Sequence, residues 1–256
     1  LAPAQTRLLE LAAIRTGERV LDVACGTGLV TLPAAAAVGP DGYVVGTDIS
    51  DRMVEELRTR AREAGHDHVV LERMGAEEIT LPGGSFDAVL CALGLMYTPR
   101  PLTALEEMRR VLRPGGRVVM AVWGERDRCG WADIFPIVDA RVRTEVCPLF
   151  YRLGTGETLA RSLEAAGFVH VEVERISTLL RYGSEEDALG AAFVGGPVAL
   201  AYSRFDDRTR EEAHREYLDS IAPYRNGRGY RIPGEFVLAR GCKASTEAPN
   251  ERERPS

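Results

Sequence analysis

Seven residues near the start of the chain, Asp22-Val23-Ala24-Cys25-Gly26-Thr27-Gly28, join an apolar run to a helix-forming one. Two glycines two positions apart strip side chains from the turn and let a ligand lie against bare main chain. Asp48 stands 20 residues beyond Gly28, at the end of the next strand pattern, "VVGTDIS". A carboxylate there can accept hydrogen bonds from both hydroxyls of a ribose, each worth about 1.5–3 kcal/mol when charge-assisted. The chemistry on offer is nucleoside recognition. The plainer role of capping the next helix falls more naturally to Ser50 or Asp51.

Two ligand classes use a strand, a glycine turn and a helix in this order. Dinucleotides take G-x-G-x-x-G, whose third glycine allows close helix–strand packing. Thr31 occupies that third position here. No Gly-Lys-Ser/Thr occurs, so a P-loop is excluded. The other class is S-adenosylmethionine, which has no phosphate and a small zwitterionic arm. The turn resembles the first motif of class I S-adenosylmethionine-dependent methyltransferases, D-x-x-C-G-T-G, with Ala24 where glycine is commoner. The segments "GAEEITLPGGSFDAVLCALGLMYTPRP" and "ALEEMRRVLRPGGRVVMAVW" resemble the second half of the same core. The similarity is greatest to the ubiquinone/menaquinone-biosynthesis and small-molecule branch. It covers about residues 17–124 and 163–180 and fades over 183–228.

That resemblance implies S-adenosylmethionine as cofactor and S-adenosylhomocysteine as product. It implies a cofactor-binding set of Asp22, Ala24, Gly26, Gly28, Asp48, Ile49, Met53, Ala76, Glu77 and Cys91. Gly75, Ala76 and Glu77 would lie against the adenine, and the family usually has Asp where this chain has Gly75. Met53 would pack near ribose and adenine, or serve its own helix as core. Cys91 would sit near the sulfonium as a small buried spacer.

A sulfonium is already an activated methyl donor, so the protein has to align the acceptor and exclude water. A hydroxyl or amine acceptor also needs somewhere to send its proton. The histidines offer little. His66 and His68 flank a turn, His170 opens a late strand, and His214 lies on a charged helix face where a solvated role is expected. Tyr97 and Trp123, just past two strands, are the acceptor-site candidates, each with a packing role as the alternative; no catalytic residue is assigned. The chain lacks Asn/Asp-Pro-Pro-Tyr/Phe after the fourth strand, and Cys91 follows Leu90 rather than proline. A metal-dependent pattern of acids is not evident. These point to a small-molecule acceptor, without metal or nucleic acid. Residues 125–151 and 183–228 hold Trp131, Phe135, Phe150, Phe193, Tyr202 and Tyr217, which suggest an apolar or aromatic acceptor, or else simply pack a local core.

The elements that must position these residues follow from periodicity. Helices are expected over 4–14, after the glycine turn, over 51–65, from 101 to an end at Pro114-Gly115-Gly116, over 129–145, in "TGETLARSLEAAGF", and as a pair within 184–222. Strands are expected at "GERVLDVA", 42–48, "HVVLERMGA", "FDAVLCAL", "RVVMAVWG", "HVEVERISTLL" and "YRIPGEFVLARG". Strand–helix alternation without hairpin signals reads as a doubly wound, mostly parallel α/β sheet. The resemblance makes it a seven-stranded Rossmann-like methyltransferase fold with an α-helical insertion before the last strand. The expected division is a cofactor domain over 1–182 and 229–243, the insertion 183–228 covering the acceptor site, and a disordered tail over 244–256.

Composition agrees with one globular chain of 256 residues, 45% hydrophobic and 27% charged, with a formal net charge of −6. An acidic surface repels phosphate backbones and anionic lipid. No apolar run approaches a membrane span, and no signal peptide is visible. The five cysteines have no C-x-x-C spacing, which fits a reducing, cytoplasmic setting. A monomer or homodimer is expected. The first residue is Leu1 rather than Met, so a trimmed N-terminus is expected, with any lid over the cofactor upstream of it or disordered. Three functions are weighed: methyl transfer to a small molecule, a cofactor-binding regulatory or scaffold module without transfer, and, weakest, a nicotinamide-dependent oxidoreductase.

Overall fold

The protein, seen in a computed structural model, is described over residues 1–142 and 150–245. The chain runs α1 (Ala2–Ala12), β1 (Arg19–Val23), α2 (Thr31–Val38), β2 (Tyr43–Asp48), α3 (Asp51–Glu63), β3 (Val69–Arg73), β4 (Phe86–Ala92), α4 (Pro101–Val111) and β5 (Leu112–Trp123). It continues with α5 (Ile134–Asp139), α6 (Thr158–Ala165), β6 (Val169–Tyr182), α7 (Glu185–Leu189), α8 (Ala199–Tyr202), α9 (Asp207–Ser220), β7 (Arg225–Asn226) and β8 (Gly229–Cys242). The sheet order is β3-β2-β1-β4-β5-β8-β6, with β7 paired antiparallel to β8. β1 pairs parallel with β2 and β4, β2 with β3, and β4 with β5. The expected mostly parallel sheet is present, with an eighth short strand.

Contacts divide the chain into two compact units. Of the described residues, one comprises 5–121, 160–173 and 239–245; the other comprises 1–4, 122–142, 150–159 and 174–238. In the first unit, β1 and β4 are almost wholly buried, which explains their near-continuous apolar runs. α3 lays Val54 and Leu57 against Cys25 and Leu71, so the turn's cysteine is part of this core. Gly46 on β2 makes room for it: a Cβ there would lie 3.2 Å from the Cys25 sulfur and 2.7 Å from Leu71. Arg117 on β5 binds both carboxylate oxygens of Glu18, at 3.1 and 2.6 Å, and donates to the carbonyls of Ala12 and Ala13. It thereby fixes the end of α1 to the entry of β1.

Several boundaries differ from expectation. The helix expected to end at Pro114-Gly115-Gly116 stops at Val111, and Leu112–Gly116 is strand. Pro114 disfavours helical geometry at the residue before it. Gly115 N–H and Gly116 C=O pair with Lys243 O and N at 2.9 and 2.8 Å, which continues the ladder. The Lys243 ammonium caps the freed carbonyls of Arg110 and Leu112, at 3.3 and 2.6 Å. The helix expected over 129–145 is helical only from Ile134 to Asp139; residues 143–145 lie outside the described residues, as do Cys147 and 246–256 of the expected tail. The pair of helices in 184–222 is three α-helices and a π-helical turn (Gly190–Val194), because Gly195-Gly196-Pro197 breaks the run. The β7–β8 hairpin was not expected; its two-residue loop is Gly227-Arg228, and Gly227 supplies φ +61°. Among the described residues no helix is long and apolar enough to cross a membrane.

Candidate functional site

The first unit gathers the glycine turn, the end of β2 and the end of β4. Asp22 is fully buried on β1. One of its carboxylate oxygens accepts the Thr31 hydroxyl at 2.5 Å, and the other has no partner. Thr31, at the position a third glycine would fill, therefore staples the start of α2 to β1. Burial pushes the Asp22 carboxyl up to about 7; the Thr31 hydrogen bond opposes this, and the charge of Asp48 adds to it. The Asp22 and Asp48 carboxylates thus lie close enough for one charge to disfavour the other, while the Arg60 guanidinium reaches the turn at the Thr27 carbonyl.

Asp48, the expected ribose acceptor, has a structural task of its own. Its two oxygens accept the Gly26 N–H and the Ser50 N–H, each at 2.9 Å, tying the glycine turn to the β2–α3 loop. A carboxylate offers about four lone-pair directions, so acceptor capacity remains for a ligand. Ser50 is the N-cap of α3, accepting from Met53 N at 3.4 Å, as the sequence suggested. Ile49 beside it is 72% exposed, an apolar side chain left open next to the carboxylate. Met53 is half-buried.

The two glycines have different tasks. A Cβ on Gly26 (φ +52°) would meet nothing within 4 Å, so its missing side chain opens onto free space. A Cβ on Gly28 (φ +93°) would lie 2.3 Å from Leu57 of α3, so this glycine serves helix packing. Ala24 has φ +57° and Leu93, just past β4, has φ +61°. Neither residue type favours this region, and such strain concentrates at functional sites. Gly94 follows Leu93, and a Cβ on it would lie 2.4 Å from the Ala24 methyl. Leu93 and Gly94 were absent from the expected site; the glycine after "LCAL" was the available signal. α1 also reaches the turn, through the Gln5 amide on Leu29 O at 2.6 Å.

Other expected residues fall less simply. Glu77 is engaged structurally: it accepts the Arg100 N–H at 2.6 Å and fixes the 74–81 loop to the start of α4. Ala76 is half-buried, and Gly75 borders open space. Cys91 is buried and its thiol is pushed up to about 12 by that burial, which leaves it inert as a nucleophile. Tyr97 is 47% exposed, while the surrounding protein raises its phenol toward about 12. The open surface moderates that rise, but in either case it is a neutral phenol at pH 7 and no ready base.

The second unit absorbs the aromatic residues. Trp123 is buried against Phe236, with ring centroids 4.2 Å apart, and Trp131, at 4.8 Å. Trp131, Phe135 and Phe150 form one cluster; Phe193, Tyr202 and Tyr217 form another. These rings make a core, so their number says little about the acceptor. His214 is corrected: it is half-buried rather than solvated, 2.8 Å from the Tyr202 hydroxyl and packed on Phe193, because α9 turns this face inward. Burial lowers its pKa. His68, in the first unit, lies 2.9 Å from Ala35 O.

The family description "Methyltransferase domain" matches residues 20–116, which contain the turn, Asp48 and β4. Residues 20–116 are thus similar to methyltransferase domains. The demethylmenaquinone methyltransferase of Listeria welshimeri is 35% identical over 127 residues, 50% of this chain and 54% of that protein. The chain thus spans about half the length of the curated relatives it matches. Among solved structures, phosphoethanolamine N-methyltransferase 2 of Haemonchus contortus, in complex with S-adenosyl-L-methionine, is 18% identical with TM-score 0.62, over 95% of this chain and 53% of that one. The [4+2]-cyclase SpnF is 21% identical with TM-score 0.58, over 94% and 80%. At such identities the structural likeness shows the fold, not the chemistry.

Proposed function

We propose that the chain binds S-adenosylmethionine at the Gly26 turn and transfers its methyl group to a small-molecule acceptor. The observation that carries this reading is the buried Asp22 oxygen without a partner beneath a turn opened by Gly26. A carboxylate there repels a diphosphate and attracts an ammonium or sulfonium group, which argues against a dinucleotide. The residues present fit the cofactor. Gly26 offers bare main chain, Asp48 retains acceptor capacity for ribose hydroxyls, and exposed Ile49 supplies an apolar face for the adenine. When bound, the sulfonium supplies an activated methyl group. The chain's own part is to hold the turn still through Asp48 and Thr31 and to supply a low-dielectric floor from Cys25 and Cys91. Neither Cys91 nor Tyr97 is a ready base at neutral pH, which suits an acceptor that is already electron-rich. A quinone-like ring is the acceptor class suggested by the name of the Listeria relative. Residues 183–228 are proposed as acceptor-side structure, and a cytoplasmic, biosynthetic role accompanies the same reading.

Calorimetry with S-adenosylmethionine, S-adenosylhomocysteine and NADH is the test. Binding of the first two with no heat from NADH is expected; the reverse pattern refutes the proposal. A second reading, a cofactor-binding module without transfer, is favoured by the protonated state of Tyr97 and by the cyclase that shares this fold. Tight binding of S-adenosylhomocysteine with no turnover over a broad acceptor panel would select it.

A further inference from the structure

The second unit contains an open cavity of about 680 Å³ that none of the expected site residues lines. Its walls include Arg128, which ends the turn after β5, and Arg181 near the end of β6. Among the described residues neither guanidinium has an ion-pair or hydrogen-bond partner. The charges around them are already matched. Arg126 faces Asp133 at 3.7 Å, while Arg175 holds Glu235 at 2.7 Å and Glu125 at 3.7 Å. Asp127 is the one acid on the wall without an ion-pair partner. The lining therefore has two unmatched cations against one unmatched anion, an excess of one positive charge.

The remaining surface is apolar or bare. Leu179, on edge strand β6, is 48% exposed, and Pro233 and Pro3 join it in the lining. Gly130 and Gly234 bring main chain to the floor, since a Cβ would come within 2.6 Å of the Tyr224 ring at Gly130 and 3.1 Å of Trp123 at Gly234. Ser177 and Thr178 add hydroxyls. Guanidinium groups match the planar geometry of a carboxylate with paired N–H donors, and an exposed leucine beside them gains by covering apolar ligand surface.

We propose that this cavity binds a carboxylate carried on an apolar body, with Arg128 and Arg181 as its counter-charges and Leu179, Pro233 and Pro3 as its apolar wall. Asp127 sets the charge: it disfavours a dianion, so a carboxylate is preferred to a phosphate monoester. The site is distinct from the glycine turn and requires no methyl transfer.

The test is titration of the full ¹⁵N-labelled chain, without cofactor, with benzoate, phenyl phosphate and benzyl alcohol, following the amides of Gly130, Ser177 and Gly234. Benzoate should give saturable shifts at these amides, with a Kd at least tenfold below that of benzyl alcohol and below that of phenyl phosphate. The double variant R128Q/R181Q should raise the benzoate Kd tenfold or more. The charge-matched surface variant R208Q/R215Q should leave it within twofold. Absent or non-saturating shifts, equal binding of the alcohol, tighter binding of the phosphate, or an unchanged Kd in R128Q/R181Q would each overturn the proposal. None of these outcomes bears on S-adenosylmethionine binding, so the two readings fail separately.

Discussion

Gly94→Ala isolates a single steric conflict at the carboxyl ends of two neighbouring strands. Gly94 has φ −100° and ψ −41°, a conformation that alanine adopts freely. Its backbone therefore does not require glycine. What requires it is the Ala24 methyl, which would stand 2.4 Å from the new Cβ. Ordinary carbon–carbon contact is ~3.5–4.0 Å, so one wall must move by about 1 Å. The Cys91 sulfur at 3.3 Å leaves little room on the other side. Overpacking of this kind costs about 1–3 kcal/mol.

Ala24→Gly alone removes a left-handed alanine, a relief of about 1–2 kcal/mol, offset by ~0.4–1 kcal/mol of added unfolded-chain freedom. It should be neutral or mildly stabilising. The combined A24G/G94A chain has no clash, because the methyl at 94 fills the space the methyl at 24 has left. The two substitutions should therefore couple by about 1–3 kcal/mol, far above the ~0.3–0.5 kcal/mol within which independent sites add. Urea unfolding of the four proteins gives the cycle. Far-UV circular dichroism follows the whole chain, and fluorescence follows Trp123 and Trp131 in the second unit; coincident curves license the two-state free energies. If Gly94→Ala costs the same with glycine or alanine at position 24, the steric reasoning is refuted.

The turn's other residues give further tests. Asp22 has its carboxyl raised from 3.8 to about 7 by burial, so the folded state holds its proton more tightly than the unfolded state. Stability from this group is complete below about pH 4 and falls as pH rises through about 7, by up to about 4 kcal/mol at ~1.36 kcal/mol per pH unit of pKa difference. Asp22→Asn, which cannot ionise, should therefore gain on wild type by a few kcal/mol between pH 4 and pH 8 in chemical denaturation; parallel profiles would sink the account. Gly28→Ala should destabilise by about 2–4 kcal/mol, through the Leu57 contact and positive φ together, while Gly26→Ala should cost only about 1–2 kcal/mol of strain and weaken S-adenosylmethionine binding more than it weakens the fold. Melting and calorimetry on the pair separate these, and equal losses in both readouts would contradict the division of labour. Gly75→Asp projects a carboxylate into open space, so it should leave the melting temperature unchanged and tighten cofactor binding about tenfold, the worth of one charge-assisted hydrogen bond; weaker binding would place the adenine elsewhere.

The sheet was legible because buried parallel strands leave near-continuous apolar runs, and "RVLDV" and "FDAVLCA" are such runs. The turn was legible because its residue types are few and their spacing is fixed. Helix ends were not, where a tertiary partner decided them. Pro114-Gly115-Gly116 announces that α4 must end nearby, but nothing local announces that Lys243, more than a hundred residues away, pairs with Gly115 and Gly116 and carries Leu112–Gly116 into strand. The aromatic residues left the acceptor open, because composition cannot distinguish a ring that lines a pocket from one that packs a core. His214 misled likewise, since the charged neighbours in "REEAHREY" concealed an inward face.

Asp48 shows why an assignment from ligand chemistry can rest on half of the cause. Its position was read from ligand chemistry, as a ribose acceptor. The structure gives it a prior task, holding Gly26 N–H and Ser50 N–H at once. These two demands are compatible because a carboxylate has more acceptor directions than two amides consume. They also reinforce each other: an acid committed to the backbone on both oxygens is already oriented, so a ligand loses less freedom in meeting it. Asparagine at 48 would present an amide N–H₂ to one of those backbone donors and set donor against donor. An aspartate is therefore needed at the end of β2 to make the turn before it is needed to bind anything, and the binding capacity is what remains once the turn is made.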